Sequence, residues 1–411
     1  MRIIKLLSCT TALALSATAA SAGSFAVKEN SASAQGMSFA NYTAGANDIT
    51  HIYNNPAALQ RVVGDSFTIG GYAAAILPSA DGDIDATGFL PGPAALSGGS
   101  VDPGENAFVP AFYIGYRINE KLAIGLSTTS PFGLATEYES GDPTDLATLA
   151  ATRSELTSIV ATPMISYDIA NGLTVGGGFS IGYADLKFNN DVIDINGDDI
   201  IYGFVIGALV DVTPSTTFGV AWRNGFDLST DGDANSAVLT GGVDVGASLS
   251  AEAPPVFSIG VRQGLTEDLD LLLEGQWQRW SDTDIAKIRL DNGVAIDDTF
   301  GYEDAFFVAA GVEYRASDAL TLRTGAAWDE TPTTNQDRSL RIPDEDRLWL
   351  SVGASYALTE HMKLDFAYSY LRTLQDPEVT IDTAANGPGV DGTAEFEADV
   401  HILSIGASVD F

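Results

Sequence analysis

This chain has very little cysteine, histidine and positive charge. Its one cysteine, Cys9, lies within the first ten residues, so the remainder has no thiol for a disulfide, a zinc site or nucleophilic catalysis. Only His51, His361 and His401 are present, on separate elements, and we predict no metal site, no cofactor and no enzymatic activity. The chain has 20 basic and 55 acidic residues, which gives a net charge of −35. This argues against a nucleic-acid partner, because such binding needs basic side chains.

The chain also lacks a long hydrophobic run. No segment offers the roughly 20 consecutive apolar residues that a transmembrane helix requires. Arg2 and Lys5, a short apolar stretch and the small residues Ala20-Ser21-Ala22 predict a cleaved signal peptide over residues 1–22. If the exported chain spans a membrane, it must therefore do so with closed strands, because lipid cannot satisfy open backbone groups.

Strict alternation of apolar and polar residues is the clearest pattern that is present. In the C-terminal segment 399–411, Leu403, Ile405, Ala407, Val409 and Phe411 fall on one face and polar residues on the other. The segments 269–278, 348–356 and 361–370 alternate in the same way. This pattern is typical of outer-membrane β-barrels, in which Phe411 would be read by the barrel-assembly machinery. The alternative is a large soluble β-sandwich.

Turn signals set the number of strands. Six short turns are predicted at 118–121, 168–172, 211–215, 263–267, 315–318 and 357–360. Between them lie seven longer polar stretches, near 78–105, 137–153, 190–199, 230–252, 282–301, 331–344 and 375–396. Six turns alternating with seven loops predict an all-β, transmembrane antiparallel barrel of 14 strands over residues 63–411, with Trp222, Trp277, Trp280 and Trp328 at the membrane interfaces.

Residues 23–62 do not fit the barrel, since they contain no alternating segment long enough to cross a membrane. They form either a flexible periplasmic arm or a plug inside the lumen. The tripeptide Asn55-Pro56-Ala57 in this segment resembles the hatch of the FadL/TodX family of outer-membrane transporters for long-chain fatty acids and other hydrophobic compounds. Residues 122–138 resemble the third strand of that family, and residues 322–351 resemble its eleventh and twelfth strands with the loop between them.

The resemblance implies a mechanism. In the family a hydrophobic ligand is held in a lumenal pocket, the N-terminal hatch moves, and the ligand leaves sideways into lipid through a kink in strand three. Here Ser130-Pro131-Phe132-Gly133 would form the kink, since proline cannot donate to a ladder and glycine weakens it. We expect a monomer whose partners are the ligand and outer-membrane lipid, located in the outer membrane of a Gram-negative bacterium.

The resemblance also implies ligand-binding residues. Lys287 matches a basic residue that holds the ligand carboxylate, and Lys187 stands near Asp185, which replaces an expected arginine. Lysine cannot bind a carboxylate through two parallel hydrogen bonds as the guanidinium group of arginine does. A neutral hydrocarbon or aromatic compound is therefore an alternative to a fatty acid as the ligand. Four charges, Arg323, Arg347, Glu303 and Glu313, are predicted to form a lumenal network that braces the barrel and hatch. A gated diffusion pore for polar solutes is the alternative function.

Overall fold

Fourteen antiparallel strands form a closed barrel, as the sequence predicted. The computed structural model describes residues 25–45, 48–88, 97–138, 152–189, 194–235, 240–283, 285–299, 301–381 and 390–411. The predicted signal peptide at residues 1–22 lies outside these ranges. Within them, no helix is both long enough and apolar enough to cross a membrane.

Each strand pairs with its neighbours in sequence, and the last pairs with the first from Thr68 opposite Asp410 to Gly88 opposite Val390. A short strand, Ser100–Val101, adds to the outer end of the first. The fourteen strands are β1 (Phe67–Gly88), β2 (Ala107–Asn119), β3 (Leu122–Thr129 and Gly133–Glu137), β4 (Arg153–Ala170), β5 (Leu173–Asn189), β6 (Asp194–Thr213), β7 (Thr216–Arg223 and Asp227–Asn235), β8 (Val245–Glu252 and Val256–Gly264), β9 (Leu269–Gln278 and Ile285–Leu290), β10 (Ala295–Thr299 and Ala305–Arg315), β11 (Leu320–Asp329), β12 (Arg347–Thr359), β13 (Met362–Thr373 and Glu378–Ile381) and β14 (Val390–Asp410).

The six predicted short turns join consecutive strands at one end of the barrel, beginning with the turn between Asn119 and Leu122. Several predicted long loops are wrong, because strands run through them. β1 continues to Gly88, β6 already begins at Asp194, and β9 and β10 pair across 285–299. A strand that projects into water has two solvated faces, so it loses the apolar alternation by which strands were recognised.

The two faces of the wall follow the predicted alternation. On β14, Ile405 and Leu403 are exposed on the outside, whereas Ile402 and Ser404 face inward and are buried. On β13, Phe366 and Tyr368 face outward and Asp365 is buried inside. The interfacial position predicted for Trp280 is wrong, because this side chain is fully buried and packs edge-on against Phe25.

The N-terminal segment, residues 25–63, fills the interior. It contains two single helical turns, α1 (Ala32–Gln35) and α2 (Leu59–Val62), and two 3₁₀ turns, Ile49–Tyr53 and Pro56–Ala58. Almost every described residue between 27 and 60 is buried. The segment touches strands on all sides of the barrel. Its contacts include Gly36 with Gly353 on β12, Gln35 with Ile402 on β14, Ile49 with Gly70 on β1, Leu59 with Gly125 on β3, Pro56 with Gly176 on β5, and Thr43 with Gly219 on β7.

Glycines on the inner wall allow this close approach. Gly36 and Gly353 face each other, and a Cβ on Gly36 would lie 2.8 Å from the Gly353 Cα. On β11, a Cβ on Gly325 would overlap the backbone carbonyl of Met37. The wall therefore meets the segment backbone to backbone, which leaves no room for a side chain at these positions.

We expect Gly325→Val to destabilise the protein by about 1–3 kcal/mol, because the added carbons overpack the contact with Met37. Gly71→Val is the matched control, since Gly71 on β1 has no atom within 4 Å of its Cβ position. Thermal unfolding of the two variants checks this. Equal midpoints for both would show that the inner contact is not tight.

Candidate functional site

β3 is interrupted at Ser130-Pro131-Phe132. Its first half pairs with β2 as far as Thr128 opposite Phe112. Its second half, Gly133–Glu137, pairs with β4 and meets the β2 side through the isolated bridge between Gly104 and Thr136. In the described part of the wall, the ladder between β2 and β3 is therefore missing between the Phe112–Thr128 pair and the Gly104–Thr136 bridge, and we call this stretch the window.

Other groups replace the missing ladder bonds at the interruption. The Phe132 amide donates to Ser158 Oγ on β4 at 3.0 Å, and the Ser158 hydroxyl donates to the Phe132 carbonyl at 2.6 Å. From inside, the Val27 amide donates to the Pro131 carbonyl at 2.9 Å, and the Gly133 amide donates to the Phe25 carbonyl at 3.0 Å. The start of the N-terminal segment thus pairs with the interruption through an isolated antiparallel bridge between Ala26 and Phe132.

An apolar cavity lies beside this pairing. It encloses about 850 Å³ of empty space, a figure that includes its open mouth. Aromatic rings form one end, with the Phe132 centroid 5.9 Å from Phe25 and 5.6 Å from Phe226. Other lining side chains include Leu156, Leu186, Phe188, Ile201, Leu249 and Ile342. The cavity can hold an apolar ligand that touches the interruption directly.

Lys187 borders the cavity, but its charge is already paired. Its Nζ lies 3.1 Å from Glu155 Oε2 on β4, and Arg153 Nε lies 2.8 Å from the same oxygen. Ala184, Leu186 and Phe188 alternate on the inner face of β5, so Lys187 belongs to the outer face. A role for Lys187 in ligand binding stays a prediction that this orientation does not favour.

Lys287 is exposed on β9, opposite Ser250 of β8, and is not among the residues that line the apolar cavity. The cation at the cavity that sequence reasoning missed is Arg341. Its guanidinium stacks on the Phe188 ring at 3.5 Å and donates to Ser154 Oγ at 2.9 Å and to the Asn189 carbonyl at 3.2 Å. Arg341 comes from the loop between β11 and β12, which carries no periodic signal that would place it.

The predicted lumenal network is formed only in part. Arg323 and Glu313 are buried and paired at 2.7 Å, with Asp365 of β13 at 3.8 Å from Arg323. Arg347 is buried as well, but its Nη2 lies 2.9 Å from Asp344. Glu303 is exposed. Arg323, Glu313 and Arg347 are buried inside, as strand parity predicted, whereas Glu303 lies between the two halves of β10, where parity does not apply.

Polar contacts attach the N-terminal segment to four different strands. Lys28 pairs with Asp329 of β11 at 3.1 Å, and the Thr43 amide donates to Glu274 of β9 at 3.0 Å. Asp48 lies 3.6 Å from Lys363 of β13, and Asn55 Nδ2 donates to the Ala208 carbonyl of β6 at 3.1 Å. Because these groups are largely buried, releasing the segment requires water or new partners for each of them.

Asn55 of the predicted hatch motif uses its whole side chain. Besides the bond to Ala208, its Nδ2 donates to the Thr43 carbonyl at 2.9 Å, and its Oδ1 accepts from the Ala57 amide at 3.1 Å. The last contact caps the 3₁₀ turn Pro56–Ala58, whose first residue is proline. The motif Asn55-Pro56-Ala57 thus fixes a turn and binds it to the wall.

We expect Asn55→Ala to lower the free energy of releasing the segment by about 1–3 kcal/mol, because the cap is lost and two buried carbonyls lose their donor. Faster hydrogen exchange of the amides between residues 27 and 60 measures this. Asn119→Ala is the control, since Asn119 caps an exposed turn through the Lys121 amide. Exchange as slow as in the unmodified protein would contradict the anchoring role.

Glu29 is a fully buried carboxyl group whose two oxygens accept no hydrogen bond from another described residue. Burial raises its pKa from 4.5 to about 7, and the charges of Lys28 and Arg347 oppose this increase only in part. The other titratable groups around it are Asp329, Tyr42 and Tyr72. The protonated form is therefore the one that the packed segment favours.

The pH dependence of the segment's attachment follows from this pKa. Between about pH 4.5 and 7 the packed state holds a proton that a solvated Glu29 has lost, so the attachment weakens as the pH rises through this window. We expect the release free energy to be roughly 2–3 kcal/mol lower at pH 8 than at pH 5. Hydrogen exchange at both pH values, corrected for intrinsic rates, measures it, and Glu29→Gln should make the difference smaller. An equal difference in that variant would assign the effect to other groups.

Comparison with known proteins identifies the family. The family model described as outer membrane protein transport protein (OMPP1/FadL/TodX) matches residues 13–411. The long-chain fatty acid transport protein of Escherichia coli O6:H1 is 26% identical, over 88% of this chain and 89% of that protein. Outer membrane protein P1 of Haemophilus influenzae is 26% identical, over 97% of this chain and 98% of that protein.

Solved structures agree with the fold. A Pseudomonas aeruginosa FadL homologue superposes with a TM-score of 0.84 at 22% identity, covering 95% of this chain and 100% of that one. The toluene transporter TodX of P. putida superposes with a TM-score of 0.66 at 14% identity, covering 92% of this chain and 98% of that one. Since the family model matches almost the entire sequence, this chain belongs to the OMPP1/FadL/TodX family and is an outer-membrane transport protein.

Proposed function

We propose that this protein is a passive transporter that takes up a hydrophobic molecule from outside the cell, holds it in the apolar cavity and releases it sideways into the membrane through the β3 window. Relatives named as transporters of long-chain fatty acids and of toluene support the ligand class. The lateral route, the cavity as the binding site and the N-terminal segment as a moving hatch over residues 23–62 are parts of this proposal.

One observation carries the proposal, namely the position of Phe132. Its ring lines the apolar cavity, its backbone belongs to the interruption of β3, and its neighbours Pro131 and Gly133 are hydrogen-bonded to residues 25–27. A displacement of the first residues of the N-terminal segment must therefore disturb the cavity and the window together.

A lateral exit also agrees with the solvation energy of the ligand. Transfer of one CH₂ group from water to an apolar environment is favourable by about 0.8 kcal/mol. An apolar molecule therefore does not leave an apolar cavity for an aqueous pore. The axial route is filled by the N-terminal segment with its buried polar contacts. The window opens toward the outer face of the wall, where neighbouring side chains such as Phe108 and Phe112 are exposed and apolar.

A second chamber supports the alternative of a gated pore for polar solutes. It lies on the other side of Phe132, encloses about 620 Å³ with its open mouth, and is lined by polar groups that include Lys28, Arg223, Gln276 and Gln278. Liposome swelling with sugars separates the two functions. Rapid sugar entry with the N-terminal segment in place would contradict the hydrophobic transporter.

The main test cross-links the hatch to the window. Ala26 and Phe132 form an isolated antiparallel bridge between hydrogen-bonded neighbours, a geometry whose Cα separation of about 4.5 Å suits a disulfide. We expect oxidised Ala26→Cys/Phe132→Cys protein to lose transfer of a hydrophobic probe into liposome membranes, and reduction to restore it. Comparing the oxidised and reduced states of the same variant separates the effect of the disulfide from that of losing the phenyl ring.

A disulfide elsewhere in the wall is the control. Ala310 of β10 and Ala326 of β11 are register partners away from the window, so oxidation of Ala310→Cys/Ala326→Cys should leave transfer unchanged. Transfer that continues unchanged in the oxidised Ala26/Phe132 variant would contradict both the hatch and the lateral route.

A further inference from the structure

An ionic cluster crosses the upper edge of the window. Arg153 of β4 lies at its centre, with Nη2 3.7 Å from Glu105, Nη1 on Glu137, and Nε 2.8 Å from Glu155. Glu105 precedes β2, whereas Glu137 ends the second half of β3. One guanidinium therefore contacts carboxylates from both sides of the β2–β3 gap.

Backbone pairing between the two sides is sparse at this end. Among the described residues, β2 and the second half of β3 share no ladder, and their backbones meet at the isolated Gly104–Thr136 bridge, which contains the 3.3 Å bond from the Glu137 amide to the Pro103 carbonyl. The distance between β2 and the second half of β3 therefore depends on the side chains that make contact across the gap.

The sign of the charges sets the direction of the effect. Glu105 and Glu137 both lie against the Arg153 guanidinium group, and without a cation their two negative charges repel each other across the gap. Arg153 neutralises this repulsion, and its planar fork can bind two carboxylates at once. Glu155 binds the Nε of Arg153 and so orients its guanidinium group. Lys187 Nζ lies 3.1 Å from the same Glu155 oxygen.

We propose that Arg153 acts as a clasp that sets the width of the lateral window, and hence the rate at which a ligand leaves the cavity. This inference rests on the proposed lateral transport. Arg153 is a positioning residue, since it is not among the residues that line the apolar cavity and acts on the ligand only through the spacing of β2 and β3. The cluster also gives Lys187 and Glu155 a role outside ligand binding.

The test measures release and affinity separately. A pyrene-labelled alkane is the probe, its release from the protein into liposome membranes gives the rate, and equilibrium binding in detergent gives the affinity. We expect Arg153→Gln to speed release by about two- to fivefold, the range of partly exposed ion pairs, while the affinity stays within about twofold. Arg153→Glu, which adds a further negative charge, should speed release by about tenfold or more.

Salt dependence distinguishes a clasp from a merely structural residue. The side chains of Arg153, Glu105 and Glu137 are 27–30% exposed, so raising the salt concentration to 1 M should screen the cluster and speed release in the unmodified protein. Arg153→Gln should show little further acceleration, and Arg153→Lys, which keeps the charge, should retain most of the salt effect. Arg279→Gln is the control, because Arg279 forms an exposed pair with Asp282 on another part of the barrel.

Glu105→Gln provides a second, independent variant. It removes only the β2-side contact of Arg153, so it should speed release, and combining it with Arg153→Gln should add less than the sum of the single effects. Release that is unchanged in Arg153→Gln and insensitive to salt would overturn the clasp, as would a loss of affinity as large as the gain in rate. Failure of the unmodified protein to bind or transfer the probe would instead contradict the proposed function.

Discussion

The continuous hydrogen-bond ladder of the barrel wall is the constraint on which the rest of this structure depends. A wall that faces lipid can leave no backbone group unpaired, and closure of β14 on β1 removes the free edges. At Pro131 the ladder is interrupted, and the polar groups there are satisfied by Ser158 from the wall and by residues 25–27 from the inside. The interruption exists because a second segment is in place to pair with it.

The interior shows how a wide barrel is filled without a hydrophobic core of ordinary size. Glycines on several strands let the N-terminal backbone lie directly against the wall, and buried ion pairs fix it at separate points around the circumference. Burying an ion pair costs desolvation free energy, and separating its partners inside the protein costs more. Such pairs therefore specify one position of the segment more than they stabilise the fold. Glu29, whose carboxyl group has no such partner, is the weak point of this arrangement.

The number of strands, the side chains that point outward or inward, and the six short turns were predictable from the sequence. Each strand has one side that faces lipid, and this imposes a period of two on the sequence. That signal ends where a strand leaves the membrane, which explains the misplaced loops and the wrong position of Trp280. The interruption at Pro131 was visible because proline lacks an amide hydrogen. The roles of Phe25, Ser158 and Arg341 were not predictable, because each contacts a partner far away in the sequence, as Arg341 does with Phe188. The parity of β5 could have shown that Lys187 faces outward, since Ala184, Leu186 and Phe188 mark its inner side.

Some of the chain's many acidic residues lie directly opposite each other in the sheet. On the outer ends of β1 and β14, Asp81 faces Glu397 and Asp83 faces Glu395, all exposed. Directly opposed like charges are unfavourable in a sheet, and they are tolerated here because water and salt screen them. The same repulsion next to the window would force the edges of an incomplete ladder apart, and there an arginine lies between the carboxylates. Charge pattern and ladder continuity are linked at these two places, since the opposed carboxylates of β1 and β14 lie where backbone pairing holds the strands together, whereas those beside the window have an arginine between them.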